Sequence, residues 1–233
     1  MLMAFTANAQ TYSYDVNHDG EITIADITCI VNKILGFYNP GEDHLCPDTN
    51  HPHIIDLDLP SGTKWACCNV GTNTPEGYGD HYSWGETEVK DYYDWQNYTN
   101  CDGSQYSCYN IGTDIARTQY DVAHVKWGEN WQMPSFDQQK ELLINCTYIW
   151  TTMNGIKGYK FIGKNGGSIF LPAAGIHSPN LKWNCSSGFY WSSTLHDRFN
   201  YGAFILYFTS TNTYNNGYEY QSEGCNVRPV WVE

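Results

Sequence analysis

After residue 53 the chain consists of short apolar runs separated by glycine, asparagine and proline. The run GSIFLPAAG (167–175) is uniformly apolar and bounded by glycines, which predicts a buried strand. The run FILYF (204–208) predicts another strand with a buried face, so not every residue in it is expected to be exposed. In IDLDL (55–59), Asp56 and Asp58 alternate with apolar residues, so both carboxylates are expected on a solvated strand face.

Two segments have helical patterns. In SFDQQKELLINC, Ser135 is expected to cap the helix at its N-terminus. The apolar side of that helix is supplied by Phe136, Leu142 and Leu143. The segment ITCIVNKILG (27–36) predicts a second, apolar helix, and it follows an acidic loop. The pattern therefore predicts a large strand-and-turn domain preceded by a small loop-helix unit.

Composition and charge narrow the function classes. The chain has 233 residues, with 25 acidic against 12 basic side chains and a formal net charge of −13. Nucleic acids and anionic membranes are bound by clustered Lys and Arg, so this balance argues against both. No apolar run approaches the roughly 18 residues of a membrane helix, so no membrane insertion is expected. The 19 Tyr, the 21 Gly and the 16% aromatic content are typical of recognition surfaces.

The N-terminus indicates export. Residues 1–9 are apolar and end in Ala7-Asn8-Ala9, a small-x-small pattern that precedes signal-peptidase cleavage. This predicts a signal-peptide remnant, a mature start at Gln10, and a secreted or outer-cell-surface location. The basic region of a signal peptide is missing, so an ordinary apolar tail is the alternative.

Nine cysteines in an exported chain suggest some disulfide bonds. Cys101 and Cys108 bracket the turn-rich insert DGSQYS, and they form the expected local bridge. The alternative is that most cysteines are small buried apolar residues.

The acidic loop DVNHDGEITIAD (15–26) has the spacing of a calcium loop. Oxygen ligands recur on a short flexible segment, and Gly20 occupies the position of the sharp turn. The sequence predicts calcium as a cofactor within residues 10–36, followed by a linker at 37–53. The predicted metal ligands are Asp15, Asn17, Asp19, Glu21 through its carbonyl, Thr23 and Asp26.

With its exiting helix, this loop resembles half of a type I dockerin, although it ends in Asp26 rather than Glu. The resemblance implies a cohesin-like partner. Dockerins normally carry two such halves, and the sequence shows no second one. A calcium-stabilised spacer is therefore the alternative.

Residues 54–233 resemble the bacterial Fib-succ major paralogous (FISUMP) domain. The strings DLDLPSGTKWACCNVG, PEGYGDHYSWGET, WGENWQMPSFDQQKELLINC, YWSST and VRPV occur in that family's order, with Gln132 and Ser135 departing mildly from it. The resemblance implies an exported α+β domain with a C-type-lectin-like fold. That fold has short antiparallel sheets, long loops and a ligand face built from loops. The motif residues Trp65, Trp84, Trp127, Trp131, Trp191, Gly62 and Gly175 are expected in the core and turns.

Residues 194–218 contain no Lys, Gln, Glu, Met or Trp. Randomising the first two bases of an AAC or AAT codon can never yield these five types. The segment therefore resembles the variable region of diversity-generating retroelement target proteins, which use C-type-lectin-like folds ending in a similar VRPV. The alternative is a strand-loop segment that is naturally poor in Lys and Glu.

These resemblances imply an exported or cell-surface recognition module that binds a glycan or surface-protein ligand. The alternative is a structural or assembly component docked through the dockerin-like segment. The sequence has no GxSxG, HExxH, phosphate-binding loop or dinucleotide fingerprint, so no catalytic activity is expected. The expected ligand-binding residues are the loop residues His196, Asp197, Arg198, Phe199, Asn200, Tyr201, Asn212, Tyr214, Asn215, Asn216, Tyr218 and Tyr220.

Overall fold

The computed structural model describes residues 52–128, 130–179 and 186–233, and these form a mostly β fold. The signal-peptide remnant (1–9), the calcium unit (10–36) and the linker (37–53) up to residue 51 lie outside the described residues. The strands are β1 (Ile54–Asp56), β2 (Lys64–Ala66), β3 (Trp131–Gln132), β4 (Thr147–Met153), β5 (Ile156–Ile162), β6 (Ser168–Pro172), β7 (Ser187–Leu195), β8 (Gly202–Thr209), β9 (Thr213–Tyr220) and β10 (Val230–Trp231). The helices are α1 (Val122–Trp127) and α2 (Phe136–Asn145), with a 3₁₀ turn at Gln105–Ser107.

In the described residues the strands form three antiparallel sheets, in the orders β1-β2-β10-β3, β4-β5-β6 and β7-β8-β9. Val230 lies opposite both Trp65 and Gln132, so the C-terminal strand closes the first sheet between distant parts of the chain. Between β2 and α1 the chain is mostly irregular, through residues 67–121. The expectation of short antiparallel sheets joined by long loops is confirmed.

Helix α2 begins as the sequence predicts. The Oγ atom of Ser135 accepts a hydrogen bond from the Gln138 amide at 3.2 Å, and the Gln138 side chain accepts one from the Ser135 amide at 2.9 Å. This reciprocal cap satisfies two amide groups at the helix terminus. Leu142 is fully buried, Leu143 packs against the same core, and Phe136 lies 4.4 Å from Phe204, ring centre to ring centre.

The buried-strand and core predictions are also confirmed. In β6, Ile169, Phe170 and Leu171 are all buried. Gly62 and Gly175 have φ angles of 74° and 77°, which favour glycine at a turn. The motif tryptophans Trp65, Trp84, Trp131 and Trp191 are buried, and Trp127 packs partly buried against the core.

The buried face predicted for strand β8 is present, and the opposite face is buried as well. Leu206 and Phe208 pack in an apolar cluster with Leu142 of α2. Ile205, on the opposite face of the strand, packs in a second cluster with Trp191. Because β8 lies between β7 and β9 and has core on both sides, its central residues are apolar whichever way they point.

A buried guanidinium joins the C-terminal segment to two sheets. Arg228 donates hydrogen bonds to the carbonyl oxygens of Ala66 (3.1 Å), Cys67 (2.9 Å) and Phe170 (2.8 Å), and to Oδ1 of Asn69 (2.8 Å). A buried charge is tolerated where hydrogen bonds replace water. Arg228 of the VRPV string therefore stabilises the loop after β2 against β6.

The predicted bridge between Cys101 and Cys108 is present. It closes the insert that carries the 3₁₀ turn. Cys146 and Cys225 are buried thiols, as the alternative for the remaining cysteines expects. Asp56 and Asp58 are both exposed, so the expectation of a solvated acidic pair holds, although β1 ends at Asp56.

Candidate ligand-binding face

The predicted residues 196–201 form the short connection between β7 and β8. The amide of His196 donates to the carbonyl of Gly202 at 3.0 Å, and the amide of Gly202 donates to the carbonyl of Phe199 at 3.1 Å. These bonds close the loop tightly. Its exposed polar side chains are Asp197, Arg198 and Asn200.

The prediction of a loop after β8 is wrong for residues 213–220, which form β9 at the edge of the sheet. The Asn-Asn-Gly at 215–217 is typical of a turn, yet here it lies within the strand. Ile205 of β8 faces Gly217 and Tyr207 faces Tyr214, so β9 carries one extra residue. Pairing with β8 satisfies the backbone, and this bulge accommodates the turn-like residues.

One face of the β7-β8-β9 sheet carries a row of aromatic rings in contact with one another. The His196 ring stacks on Phe199 at 5.0 Å and contacts Tyr218 at 4.6 Å. Phe199 stacks on Tyr201 at 5.4 Å, and Tyr201 lies 5.9 Å from Tyr220. We call these five residues the aromatic strip. It joins the loop at 196–201 to the C-terminal half of β9.

A glycine makes room for the strip. A Cβ atom at Gly202 would come 2.6 Å from Cδ2 of Tyr218, closer than atoms can pack. The Tyr218 ring therefore lies over the β8 backbone at a position where a side chain is missing. Beneath the strip, Phe204 contacts His196 at 4.7 Å and Phe136 of α2 at 4.4 Å. The rings are thus supported by the helix that the sequence predicts.

Two further aromatic residues lie near the strip, and the sequence analysis missed both. Trp95 lies 5.8 Å from Tyr220. Tyr106, on the disulfide-closed insert, is 86% exposed. Burial, and then the neighbouring phenols of Tyr218, Tyr220 and Tyr106, raise the pKa of Tyr201. Trp95 and Tyr106 precede the strip by about a hundred positions. Local sequence patterns therefore give no signal that the fold brings them near it.

The strip is uncharged at neutral pH. Burial lowers the pKa of His196, although the nearby Asp197 carboxylate acts in the opposite direction. Nδ1 of His196 accepts a hydrogen bond from the Arg198 amide at 3.1 Å. The ring is therefore fixed in the loop as a neutral aromatic group.

The other predicted residues lie elsewhere on the sheet. Asn212 is exposed in the turn between β8 and β9, and its side chain donates to Oγ1 of Thr211 at 3.0 Å. Asn215 is half-buried within the β9 bulge. Tyr214 and Asn216 line a separate cavity. The structure thus brings together the 196–201 loop with Tyr218 and Tyr220. The other predicted residues lie outside this group, although Tyr218 also borders the cavity of Tyr214 and Asn216.

That cavity, which we call the edge pocket, has a volume of about 350 Å³. Its walls include Phe189, Tyr207 and Tyr214, which lie side by side across the three strands. Phe189 and Tyr207 are 4.7 Å apart, and Tyr207 and Tyr214 are 6.2 Å apart and nearly parallel. Tyr207 and Phe204 are three residues apart on β8, so the edge pocket opens on the opposite face from the strip.

A carboxyl pair borders the edge pocket, and the sequence analysis did not identify it. The amide of Glu223 donates to the carbonyl of Tyr220 at 2.9 Å, and this turn returns Glu223 to Glu219, with which its side chain is hydrogen-bonded. Burial, then the hydrogen bond and the charge of Glu219, raise the pKa of Glu223 to about 9. Burial also raises the pKa of Glu219, whereas the hydrogen bond with Glu223 lowers it. Glu223 therefore holds a proton at neutral pH and shares it with Glu219 through their hydrogen bond.

The described residues show no candidate metal site. In residues 52–128, 130–179 and 186–233, no group of three or more His, Cys, Asp or Glu side chains is arranged to hold a metal ion. The predicted calcium ligands lie outside the described residues: Asp15, Asn17, Asp19, Glu21, Thr23 and Asp26. Neither α1 nor α2, the α-helices of the described ranges, has the length and apolar character of a membrane span.

No family model, curated protein or solved structure matches the chain. The FISUMP, dockerin-like and retroelement-target resemblances remain predictions. The candidate function follows from the geometry of the β7-β8-β9 sheet, with the aromatic strip on one face and the edge pocket on the other.

Proposed function

We propose that this chain is a secreted or cell-surface recognition module that binds a glycan or a surface protein through the aromatic strip. The observation that carries the proposal is the continuous row of rings from His196 to Tyr220 on one face of the β7-β8-β9 sheet. Aromatic rings offer a large contact area at a low cost in conformational entropy. Such rings dominate the binding energy of many recognition surfaces.

The surroundings of the strip support a binding role. Trp95 and Tyr106 extend the aromatic area, while Asp197, Arg198 and Asn200 place exposed polar groups beside it. Apolar rings with a few polar groups at the rim are typical of ligand sites. The combination suits the faces of sugar rings or an aromatic and polar protein surface.

The sheet-rich architecture supports a finer proposal, a C-type-lectin-like fold. Short antiparallel sheets, long irregular connections and a C-terminal strand that closes the first sheet are compatible with that fold. In this arrangement the 196–201 loop and β9 form the ligand face. Helix α2 packs beneath that face, through the contact of Phe136 with Phe204.

The proposal is tested by removing two exposed rings, Tyr106 and Tyr220, and the half-buried ring of Tyr201. The triple variant Tyr106→Ser, Tyr201→Ser, Tyr220→Ser is compared with the wild type on an array of glycans and on surface proteins of candidate hosts. We expect the loss of any wild-type interaction, by about thirtyfold or more in affinity, because aromatic anchors dominate such interfaces. The melting temperature should change little.

A matched control is Tyr148→Ser, because Tyr148 is 39% exposed on a different sheet, in β4. This variant should bind like the wild type. Unimpaired binding by the triple variant would place the face elsewhere. Unfolding of the triple variant would show that these rings are core residues.

A further inference from the structure

The edge pocket is built differently from the strip. Its rings form one wall of an open cavity, and the volume of that cavity suits a small ligand. Gly217 forms part of the lining, and a Cβ atom there would meet only Cγ1 of Ile205, at 3.9 Å. The missing side chain therefore leaves the space between Tyr207, Tyr214 and Glu219 open.

The side of the pocket next to β9 is acidic. Glu219 lines the cavity, and its carboxyl group shares a proton with that of Glu223. The buried thiol of Cys225 lies close enough to the two carboxyls for them to contribute to its raised pKa, after burial itself. A carboxylate next to aromatic faces is a partner for a positive group, because the faces of aromatic rings are also electronegative.

We propose that the edge pocket binds a small organic cation of the alkylammonium class, seated between the Tyr207 and Tyr214 rings and the Glu219 carboxyl group. An alkylammonium ion combines apolar carbon with a diffuse positive charge, and it therefore matches both walls. A divalent metal ion fits less well, because it needs six or more oxygen ligands and the carbon faces of the rings supply none. The net charge of −13 also attracts cations in general.

This inference does not depend on the proposed function. The strip and the edge pocket lie mainly on opposite faces of the same sheet and share only Tyr218. Their remaining rings differ, so either could bind its ligand without the other. A ligand of the strip would contact Tyr201 and Tyr220, whereas a cation in the pocket would contact Tyr207 and Tyr214.

The test uses two probes of the same shape. Choline and the neutral 3,3-dimethylbutan-1-ol are titrated separately into the full chain by calorimetry at neutral pH. We expect choline to bind about tenfold more tightly, through its charge. Equal affinity for the two probes, or no binding of choline, would overturn the proposal.

Three variants separate the contributions. Glu219→Gln should weaken choline binding about tenfold and leave the affinity for the alcohol unchanged. Glu88→Gln is the matched control for net charge, because the Glu88 side chain is 83% exposed and lies outside the pocket. Gly217→Leu should fill the cavity and abolish binding of both probes.

Tyr214→Leu keeps an apolar wall without the ring, and Tyr214 is 48% exposed, so this variant remains informative if Gly217→Leu fails to fold. It should lose the preference for choline over the alcohol. Retention of that preference by Tyr214→Leu, or of full choline affinity by Glu219→Gln, would contradict the assignment.

Discussion

At the scale of single residues, charge is buried here in two different ways. Arg228 is buried among carbonyl oxygens that accept its hydrogen bonds, so its charge is satisfied in the folded state. Glu219 and Glu223 are hydrogen-bonded to each other, and one of them must remain protonated. The first arrangement is insensitive to pH because arginine stays charged, whereas the second is not.

The carboxyl pair gives a prediction for the pH dependence of stability. Glu223 has a pKa near 4.5 when unfolded, and burial with Glu219 raises it to about 9 when folded. Between these values the folded state holds a proton that the unfolded state has released, so the free energy of unfolding falls as pH rises. Glu223→Gln should remove this part of the pH dependence.

Urea denaturation at about pH 5 and about pH 9 checks this prediction. We expect Glu223→Gln to gain stability relative to the wild type at the higher pH, and the difference to shrink towards the lower pH. A difference of the same size at both pH values would show that the carboxyl pair does not share a proton.

At the scale of elements, helix α2 begins at the cap that the sequence predicts and packs Leu142 into the core. Leu142 is fully buried, so Leu142→Ala should lower the free energy of unfolding by about 2–5 kcal/mol. Ile144 on the same helix is 68% exposed, and Ile144→Ala is the matched control, with an expected effect below about 0.5 kcal/mol. Chemical denaturation measures both. Similar losses in the two variants would contradict the packing of the helix.

The burial pattern of residues 194–218 gives a prediction about which positions tolerate substitution. Exposed positions 197, 198, 200, 212 and 216 should accept most residues, whereas Ile205, Leu206 and Phe208 should accept only apolar ones, because they are buried. A saturation library of residues 194–218, sorted for folded protein, tests this expectation. Uniform tolerance across the segment would contradict the burial of β8 on both faces.

The same burial bears on the retroelement resemblance. Residues 194–218 include core positions of β8, so free variation of the whole segment would disturb both apolar clusters. We expect any diversification to be confined to the exposed positions. The absence of Lys and Glu from β8 follows from burial alone.

The sequence correctly predicts those features that depend on interactions between residues close together in the chain. The cap at Ser135, the apolar run of β6 and the bridge between Cys101 and Cys108 depend on neighbouring residues, and all three are present. Strand β9 was missed because its Asn-Asn-Gly sequence favours a turn, and only pairing with β8 overrides that preference. The contact of Trp95 with Tyr220 depends on the tertiary fold, which no short pattern contains.

At the scale of the whole molecule, the calcium unit remains a prediction. Calorimetric titration of the full chain with calcium should show one site of modest affinity, in the roughly micromolar-to-millimolar range of sensors and extracellular modules. The double variant Asp15→Ala, Asp19→Ala should abolish this heat. The absence of heat with the wild type at millimolar calcium would rule out the loop as a metal site.

The same titration bears on the alternative function, docking through residues 10–36. Binding of a cohesin domain in the presence of calcium, and its loss with the double variant, would support an assembly role. Calcium binding without cohesin binding would instead support a spacer that precedes the recognition domain.

The bridge between Cys101 and Cys108 has a consequence for where the proposed face is complete. It closes the insert that carries Tyr106 beside Tyr201, and reduction would release that insert from its closed loop. Disulfides persist outside the cell and are reduced in most cytosols. The proposed recognition surface would therefore be complete only after oxidation, and the reduced chain should bind its ligand more weakly than the oxidised one.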